Sequence, residues 1–251
     1  MIKYLKFLVI PESMRYRNLS IIGTSHIARE SMDTVKERIL QEKPEIIALE
    51  LDKRRLYALL TKKKEKAGLR DIRYVGIKGW LFSIIGAWAE EKLGKSVGIK
   101  PGSEMVTAVR LAKKTDAMVA LIDQDIAVTL RRFSQKFTWK EKIRIVVDIF
   151  KGIFFKKREM KRLGIVDLDL TKVPSEKIIK KMMKEVKKRY PNFYKVLVVE
   201  RNRYMAKNLA KLMSRYPEKE ILVIIGAGHE KEMIKLVKKE LKKREEKVQE
   251  S

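Results

Sequence analysis

The sequence predicts an α/β fold, in which a mainly parallel central sheet is flanked by helices and interrupted by a basic helical insertion. Four apolar runs of strand length, at 19–22, 46–51, 118–122 and 221–225, are continuous rather than alternating. Continuous runs are typical of strands covered on both faces, as in parallel sheets. Helical periodicity fills the intervals between the runs, so strand and helix alternate along the chain. We therefore expect residues 1–251 to form a single domain.

The helices are delimited by start and stop signals. The helix after the first run should end before the Lys43-Pro44 break, because the residue before a proline disfavours helical geometry. The segment KPGSE (100–104) is a helix-start signal for a second amphipathic face. Residues 192–217 have the spacing of one long helix, and a basic terminal helix follows residue 229.

The insertion is predicted from residues at about 131–190, which are strongly basic and carry few strand signals. Within it, 161–176 has the composition of a loop, with Pro174-Ser175 opening another helix. The whole chain has a formal net charge of +27, which favours contact with nucleic acid, anionic lipid or acidic substrates. No helix-turn-helix, zinc-finger or RNP pattern supports specific nucleic-acid recognition.

Composition also restricts the compartment and the chemistry. The chain has no cysteine, which excludes disulfides, thiolate metal sites and cysteine nucleophiles. No apolar run approaches the roughly 20 residues of a membrane span, and no signal peptide is evident. We expect a cytoplasmic protein that associates with a membrane only peripherally. The apolar segment 79–89 is better explained as a buried or interfacial helix, and it offers a surface for a homodimer.

Both histidines of the chain stand three residues after a glycine, directly behind a predicted strand. The segment GTSH (23–26) follows the first strand, and GAGH (226–229) follows the last. Ligands of open parallel sheets bind beyond the carboxyl ends of the strands. The glycines permit a tight turn, and backbone N–H groups near the next helix can face an anion. A lone histidine in this position is usually structural, but two in the same context favour a shared site.

Carboxylates follow the two remaining strands. Glu50 lies in an apolar strand, where an uncompensated carboxylate is costly, so we expect it to be functional. Asp123 and Asp125 follow the third strand, where capping of the next helix is the simpler explanation. Two imidazoles and a carboxylate suit a divalent ion such as Mn, Co or Zn, with open positions for water.

Two familiar catalytic motifs are absent. HEKEM (229–233) begins like the metalloprotease H-E-x-x-H helix, but methionine occupies position 233. GTSHI (23–27) lacks the final glycine of a nucleophile elbow. The motifs alone therefore indicate no specific enzyme class.

Five ordered blocks of the chain resemble the TraB/PrgY/Tiki superfamily, and specifically its TraB, or pheromone-shutdown, branch. The blocks are GTSHIARES (23–31), KPEIIALELDKRR (43–55), the segment from GSEMV to TLRR (102–132), ERNRYMAKNL (200–209) and VIIGAGH (223–229). The resemblance implies a core like that of the erythromycin-esterase and ChaN-like proteins, with both G-x-x-H motifs at one cleft. Many archaeal members continue into a hydrophobic membrane region that this sequence lacks, so we expect either a soluble paralogue or a soluble domain.

The resemblance also implies roles for individual residues. The two histidines and an acidic residue are associated with metal-dependent proteolysis in the Tiki branch, which implies His26, His229 and Glu50 as metal ligands or catalytic groups. Arg201 would stabilise an anion or oxyanion, although a simple ion pair with Glu200 is the alternative. The candidates for binding substrate or anion are Gly23, Thr24, Ser25, Gly226, Gly228 and Arg131. The candidate accessory acids are Glu104, Asp123 and Glu200.

Three functions are consistent with these patterns. The first is a metal-dependent hydrolase of a peptide or related amide, in which a metal-bound water is the nucleophile. The second is a non-catalytic module that sequesters a peptide or small anion in the same cleft. The third is non-specific contact with nucleic acid or an anionic membrane through the basic insertion.

Overall fold

The computed structural model describes residues 14–25, 29–61, 73, 76, 80, 100–154 and 175–249. The strands in these ranges are β1 (Met14–Tyr16), β2 (Leu19–Thr24), β3 (Ile46–Leu49), β4 (Met118–Leu121) and β5 (Ile221–Gly226). The first helices are α1 (Arg29–Glu42), α2 (Lys53–Thr61), α3 (Ser103–Thr115), α4 (Ile126–Lys136) and α5 (Trp139–Phe154). They are followed by α6 (Glu176–Arg189), α7 (Pro191–Tyr194), a π-helical segment (Lys195–Glu200), α8 (Arg201–Arg215) and α9 (Ala227–Gln249).

The predicted mainly parallel sheet is confirmed. Its strand order is β1-β2-β5-β3-β4, and β2, β5, β3 and β4 pair in parallel. The short β1 was not predicted, and it pairs antiparallel with β2 at the edge. In the register, Thr24 lies opposite Gly226 and Leu49 lies opposite Ile224. The carboxyl ends of the four parallel strands therefore share one edge of the sheet, as expected for the site.

Helices cover both faces of the sheet, which explains the continuous apolar runs. One face packs Ile21, Ala48 and Val223 against α8 and α9. The other face packs Ile22, Ile47 and other strand residues against α1 and α3. Successive strand side chains point to opposite faces, so a strand that is covered on both faces is apolar at most of its positions.

The helix predicted over 192–217 is divided in the structure. It comprises α7, the π-helical segment and α8, which follow one another without a break. A π-helical turn inserts extra backbone into the helix, and such turns occur frequently at functional sites. The apolar spacing predicted a helix correctly, but it could not reveal the wider turn that precedes Arg201.

The described part of the basic insertion is helical, as predicted. Glu141 on α5 accepts hydrogen bonds from the backbone and side-chain nitrogens of Asn192, at 2.8 and 3.1 Å. Asp148 on α5 accepts from Arg189 Nε at 2.9 Å and also from Tyr190. These bonds tie α5 to the end of α6 and the start of α7. Helix α6 begins after Ser175, as the sequence indicated.

Some predictions fall on residues that the structure does not describe. Most of the predicted loop at 161–176 and of the apolar segment 79–89 lies outside the described residues, so the proposed homodimer surface stays a prediction. Among the helices of the described ranges, none has an apolar stretch long enough to cross a bilayer.

Candidate functional site

A buried ionic cluster lies at the carboxyl edge of the sheet. Glu50 directly follows β3 and is 3 % exposed. Its Oε2 atom accepts the backbone N–H of Gly226 at 2.6 Å, and its Oε1 atom accepts from Arg201 Nη2. Arg201 Nη2 also donates to Asp123 Oδ2 at 2.6 Å, while Nε contacts Oδ1 of the same carboxylate at 3.1 Å. Arg201 therefore holds together the two carboxylates that follow neighbouring strands.

A second guanidinium group extends the cluster. Arg55 on α2 donates from Nη2 to Asp123 and, at 3.1 Å, to the backbone oxygen of Glu50. Its Nε atom donates to Asp52 Oδ2 at 2.8 Å. Asp52 also accepts the backbone N–H of Arg54 at 2.8 Å, which caps the start of α2. The described cluster thus contains three carboxylates and two guanidinium groups, which leaves one excess negative charge.

The electrostatic environment keeps Arg201 charged. Burial alone lowers the pKa of Arg201, but the fields of Glu50 and then Asp123, with their hydrogen bonds, outweigh burial and raise the pKa above its ordinary value. A buried pair is stable only when such hydrogen bonds replace the lost hydration. The guanidinium is therefore a permanent positive charge beside Glu50.

His229 lies in the first turn of α9 and contacts the same cluster. Its Nε2 atom is 3.4 Å from Glu50 Oε1, and its Nδ1 atom is 2.5 Å from Asn202 Oδ1. Both His229 and Asn202 are buried. His26 lies outside the described residues, so its predicted pairing with His229 stays a prediction.

The start of α8 supplies two neighbouring side chains to different parts of the site. Arg201 reaches Glu50 and Asp123, while Asn202 reaches His229. Successive side chains of a helix point about 100° apart, so both can enter the site only when this turn faces it directly. The π-helical segment ends at Glu200, immediately before the two residues.

The strand-end residues proposed to bind an anion have partners within the chain. The N–H of Gly226 is bonded to Glu50. Thr24 donates from Oγ1 to the backbone oxygen of Ile225 at 3.2 Å, and the N–H of Ser25 donates to Ser31 Oγ at 2.8 Å. The negative group at the end of β5 is therefore the protein's own glutamate, and substrate binding by these residues stays a prediction.

The side chain of Glu230 lies over the glycine that ends β2, a contact that the sequence did not reveal. A Cβ atom at Gly23 would lie 2.3 Å from Glu230 Oε2 and 3.1 Å from the Cα atom of Ala227. Both distances are shorter than an ordinary van der Waals contact, so glycine leaves room here for the first turn of α9. The second glycine of the other motif has more room, because a Cβ atom at Gly228 would lie 3.5 Å from the sulfur of Met183.

We expect Gly23→Ala to lower the free energy of unfolding by about 1–3 kcal/mol, because the methyl group overpacks this contact. Gly228→Ala is the matched control, and it should be neutral or slightly stabilising because the added methyl group makes only ordinary van der Waals contacts with Met183 and alanine favours helix. Urea unfolding of both variants measures the difference. Adding Glu230→Ala to Gly23→Ala should recover part of the loss; equal stabilities of the two glycine variants would contradict the steric explanation.

Two of the candidate accessory acids and one anion-binding candidate lie on helical segments other than those that supply Arg55 and Arg201. Glu200 forms ion pairs with Lys136 at 2.5 Å and Arg132 at 3.4 Å, both on α4, rather than the alternative ion pair with Arg201. The nearby buried carboxylates of the cluster attract Arg201 instead. Arg131 is exposed on α4, and Glu104 is buried in the first turn of α3.

The two aspartates after β4 have different roles. Asp125 caps α4 by accepting the N–H of Ala127 at 2.7 Å, which confirms the capping prediction. Asp123 binds Arg201 and Arg55 instead, so capping was the wrong explanation for it. Asp123 is the more deeply buried of the two, and burial requires an ionic partner.

Sequence analysis missed two members of the site, Arg55 and Asn202. Both lie in blocks that were singled out, KPEIIALELDKRR and ERNRYMAKNL. The need to neutralise two carboxylates at neighbouring strand ends was a signal for more than one arginine. No comparable signal pointed to Asn202, since its contact with His229 depends on how α8 and α9 pack together.

The described residues match part of a metal site. Within the described ranges, no group of three His, Cys, Asp or Glu side chains could hold an ion. Glu50 Oε1 and His229 Nε2 are nevertheless 3.4 Å apart, within the roughly 3.3–3.6 Å between adjacent ligands of a tetrahedral ion with bonds of about 2.0–2.2 Å. An acceptor at the other ring nitrogen, as at His229, is typical of metal-ligating histidines.

Comparison with known proteins places the chain in one protein family. A sequence model of the TraB/PrgY/gumN family matches residues 15–249. Uncharacterized protein MJ1365 of Methanocaldococcus jannaschii is 35 % identical over 224 residues, covering 88 % of this chain and 54 % of that protein. The human and mouse proteins named TraB domain-containing protein are each 22 % identical over 235 residues, covering 83 % of this chain and 60 % of theirs. The chain thus spans little more than half the length of these relatives.

Proposed function

The chain belongs to the TraB/PrgY/gumN family, and from this premise we propose that it is a metal-dependent hydrolase of peptide or related amide bonds. The observation that carries the proposal is the contact between His229 and Glu50 in a buried cluster at the carboxyl edge of the sheet. Membership of the pheromone-shutdown branch and a core like that of the erythromycin-esterase and ChaN-like proteins are part of the same proposal.

The chain's own residues have distinct roles in this proposal. His229 Nε2 and Glu50 Oε1, with His26, would hold the divalent ion. When bound, the ion (Mn, Co or Zn) supplies a Lewis acid and lowers the pKa of a water nucleophile. Glu50 would either ligate the ion or act as the general base, and Arg201 keeps the Glu50 carboxylate in one orientation through its hydrogen bond. The positive charge of Arg201 also stabilises negative charge that develops on the substrate.

The charge of the cluster supports binding of a cation. Three carboxylates and two guanidinium groups leave one excess negative charge among the described members. Burial strengthens electrostatic interactions because the surroundings have a lower dielectric constant than water. A cation beside Glu50 would therefore interact favourably with these carboxylates.

The basic insertion supports a subsidiary proposal, contact with anionic polymers or membranes. Helix α6 carries exposed lysines along one side, namely Lys177, Lys180, Lys181, Lys184, Lys187 and Lys188. Such a surface attracts nucleic acid or anionic lipid without sequence specificity, and salt weakens the attraction.

The first test is metal binding by chelator-treated protein. Adding Mn²⁺, Co²⁺ or Zn²⁺ at about 100 times the dissociation constant should stabilise the wild type by about 2.7 kcal/mol, an increase of several degrees in Tm. His229→Gln should lose most of this increase. Glu245→Gln is the control, because Glu245 is exposed and pairs with Arg17 far from the site. Equal increases in all three proteins would contradict a metal site at His229.

The second test is cleavage. A mixture of synthetic peptides covering all residue types is incubated with metal-loaded protein, and mass spectrometry identifies fragments. Wild type and Glu245→Gln should produce the same fragments, and His229→Gln should produce none. Binding without fragments would favour the non-catalytic alternative, a regulator that sequesters a peptide or small anion. Fragments that His229→Gln also produces would contradict the proposed site.

A further inference from the structure

The side-chain amide of Asn202 has an unusual position beside His229. Asn202 is 1 % exposed and lies in the first turn of α8. Its Oδ1 atom is 2.5 Å from His229 Nδ1, whereas its Nδ2 group has no hydrogen-bond partner among the described residues. A buried donor without a partner destabilises a fold by about 1–3 kcal/mol. The unpaired Nδ2 donor therefore offsets part of the stability that the Oδ1 contact with His229 contributes.

The contact determines which nitrogen of His229 carries the proton. An amide oxygen only accepts hydrogen bonds, so a neutral imidazole that bonds to Oδ1 carries its proton on Nδ1. The Nε2 atom then presents its lone pair toward Glu50 Oε1, 3.4 Å away. A lone pair facing a carboxylate oxygen is unfavourable unless a cation or a proton lies between them. In this arrangement Nε2 and Glu50 Oε1 are therefore positioned to bind a cation or a proton between them.

The opposite amide orientation would have a different consequence. It would place Nδ2 against Nδ1, move the ring proton to Nε2 and direct that proton at Glu50 Oε1. The ring would then be closed to a cation. The orientation of this amide thus decides whether Nε2 of His229 faces Glu50 as a lone pair or as an N–H donor.

We propose that Asn202 is a positioning residue that fixes His229 in the tautomer with the proton on Nδ1, so that the Nε2 lone pair, which faces Glu50 Oε1, can act as a ligand for a divalent cation. The role in metal binding rests on the proposed function, but the tautomer does not. The two are therefore tested separately.

The tautomer is measured by long-range ¹H–¹⁵N NMR of the full, metal-free chain labelled with ¹⁵N-histidine. The chain has only two histidines, so His26→Gln assigns the signals of His229. In the wild type we expect a protonated Nδ1 and an unprotonated Nε2. In Asn202→Leu the proton should move to Nε2, because Nδ1 loses the Asn202 oxygen as its acceptor while Glu50 Oε1 lies 3.4 Å from Nε2. Asn202→Asp should retain the wild-type tautomer, because a carboxylate oxygen accepts from Nδ1.

A protonated Nε2 in the neutral wild-type ring would overturn the proposal, whatever the variants do. An unchanged tautomer in Asn202→Leu would also overturn it. The leucine variant is expected to fold, with a free energy of unfolding within about 1 kcal/mol of the wild type, since the lost hydrogen bond is offset by removal of the unpaired donor. A purely structural asparagine would instead make Asn202→Leu clearly less stable and leave the tautomer unaffected.

Cobalt binding then tests the consequence. Calorimetric titration with Co²⁺ alone should show an affinity about 10–100-fold lower for Asn202→Leu than for the wild type, the usual effect of losing a group that orients a ligating histidine. Asn202→Asp should retain most of the affinity. The predicted tautomers without Co²⁺ binding to any protein would contradict the proposed function and leave the positioning role intact. Equal affinities of the wild type and Asn202→Leu would overturn the role in metal binding.

Discussion

Replacing Arg201 by methionine is expected to lower the free energy of unfolding by about 3–5 kcal/mol. The guanidinium group contacts both Glu50 and Asp123, which are almost completely buried. Methionine fills similar space but leaves the two carboxylates close together with less positive charge between them. Arg55 still contacts Asp123, so Glu50 is the carboxylate that is left without its guanidinium partner.

Urea unfolding of the variant and of Arg132→Met measures this effect. Arg132 also pairs with a glutamate, Glu200 at 3.4 Å, but its side chain is 48 % exposed. Exposed ion pairs contribute about 0–1 kcal/mol, so the control should remain close to wild-type stability. Adding Glu50→Gln to Arg201→Met should recover part of the loss, because it removes the uncompensated charge. Similar losses for Arg201→Met and Arg132→Met would contradict the buried cluster.

The second large effect is expected on hydrolysis. Glu50→Gln should reduce peptide cleavage by about 10²–10⁴-fold, the range for loss of a general acid or base. Glutamine has almost the same shape and can still accept the N–H of Gly226, so the variant should fold. It cannot accept the proton of a water nucleophile, and its neutral oxygen is a weaker ligand for a cation.

Glu141→Gln is the matched control for this variant. Glu141 is also 3 % exposed and accepts several hydrogen bonds, but its partners are Asn192 and Thr138, outside the ionic cluster. Both variants should lose some stability, and only Glu50→Gln should lose activity. The comparison uses the peptide mixture and fragment detection described for the His229 variant. A similar loss of cleavage in both variants would indicate a general effect on folding, and full activity of Glu50→Gln would contradict the mechanism.

The strands of the sheet were predictable because the pattern that marks a buried strand lies within a few consecutive residues. Strands buried on both faces need unbroken apolar runs, so all four parallel strands could be located within a few residues. Parallel pairing then required their carboxyl ends to lie at one edge, and it placed Glu50, Asp123 and His229 in the same region. Short β1 and the π-helical segment were not predicted, because neither has a distinct apolar pattern.

The sequence by itself determined the edge of the sheet at which the site forms and most of the residue types present there. Only the tertiary structure decided which of these charged and polar side chains contact one another. Arg201 binds carboxylates 78 and 151 positions away rather than the adjacent Glu200, and Asn202 meets His229 across the contact between α8 and α9. The physical reason is burial: a charge enclosed by the sheet and helices must find its partner within reach in space, and distance along the chain does not indicate which partner that is.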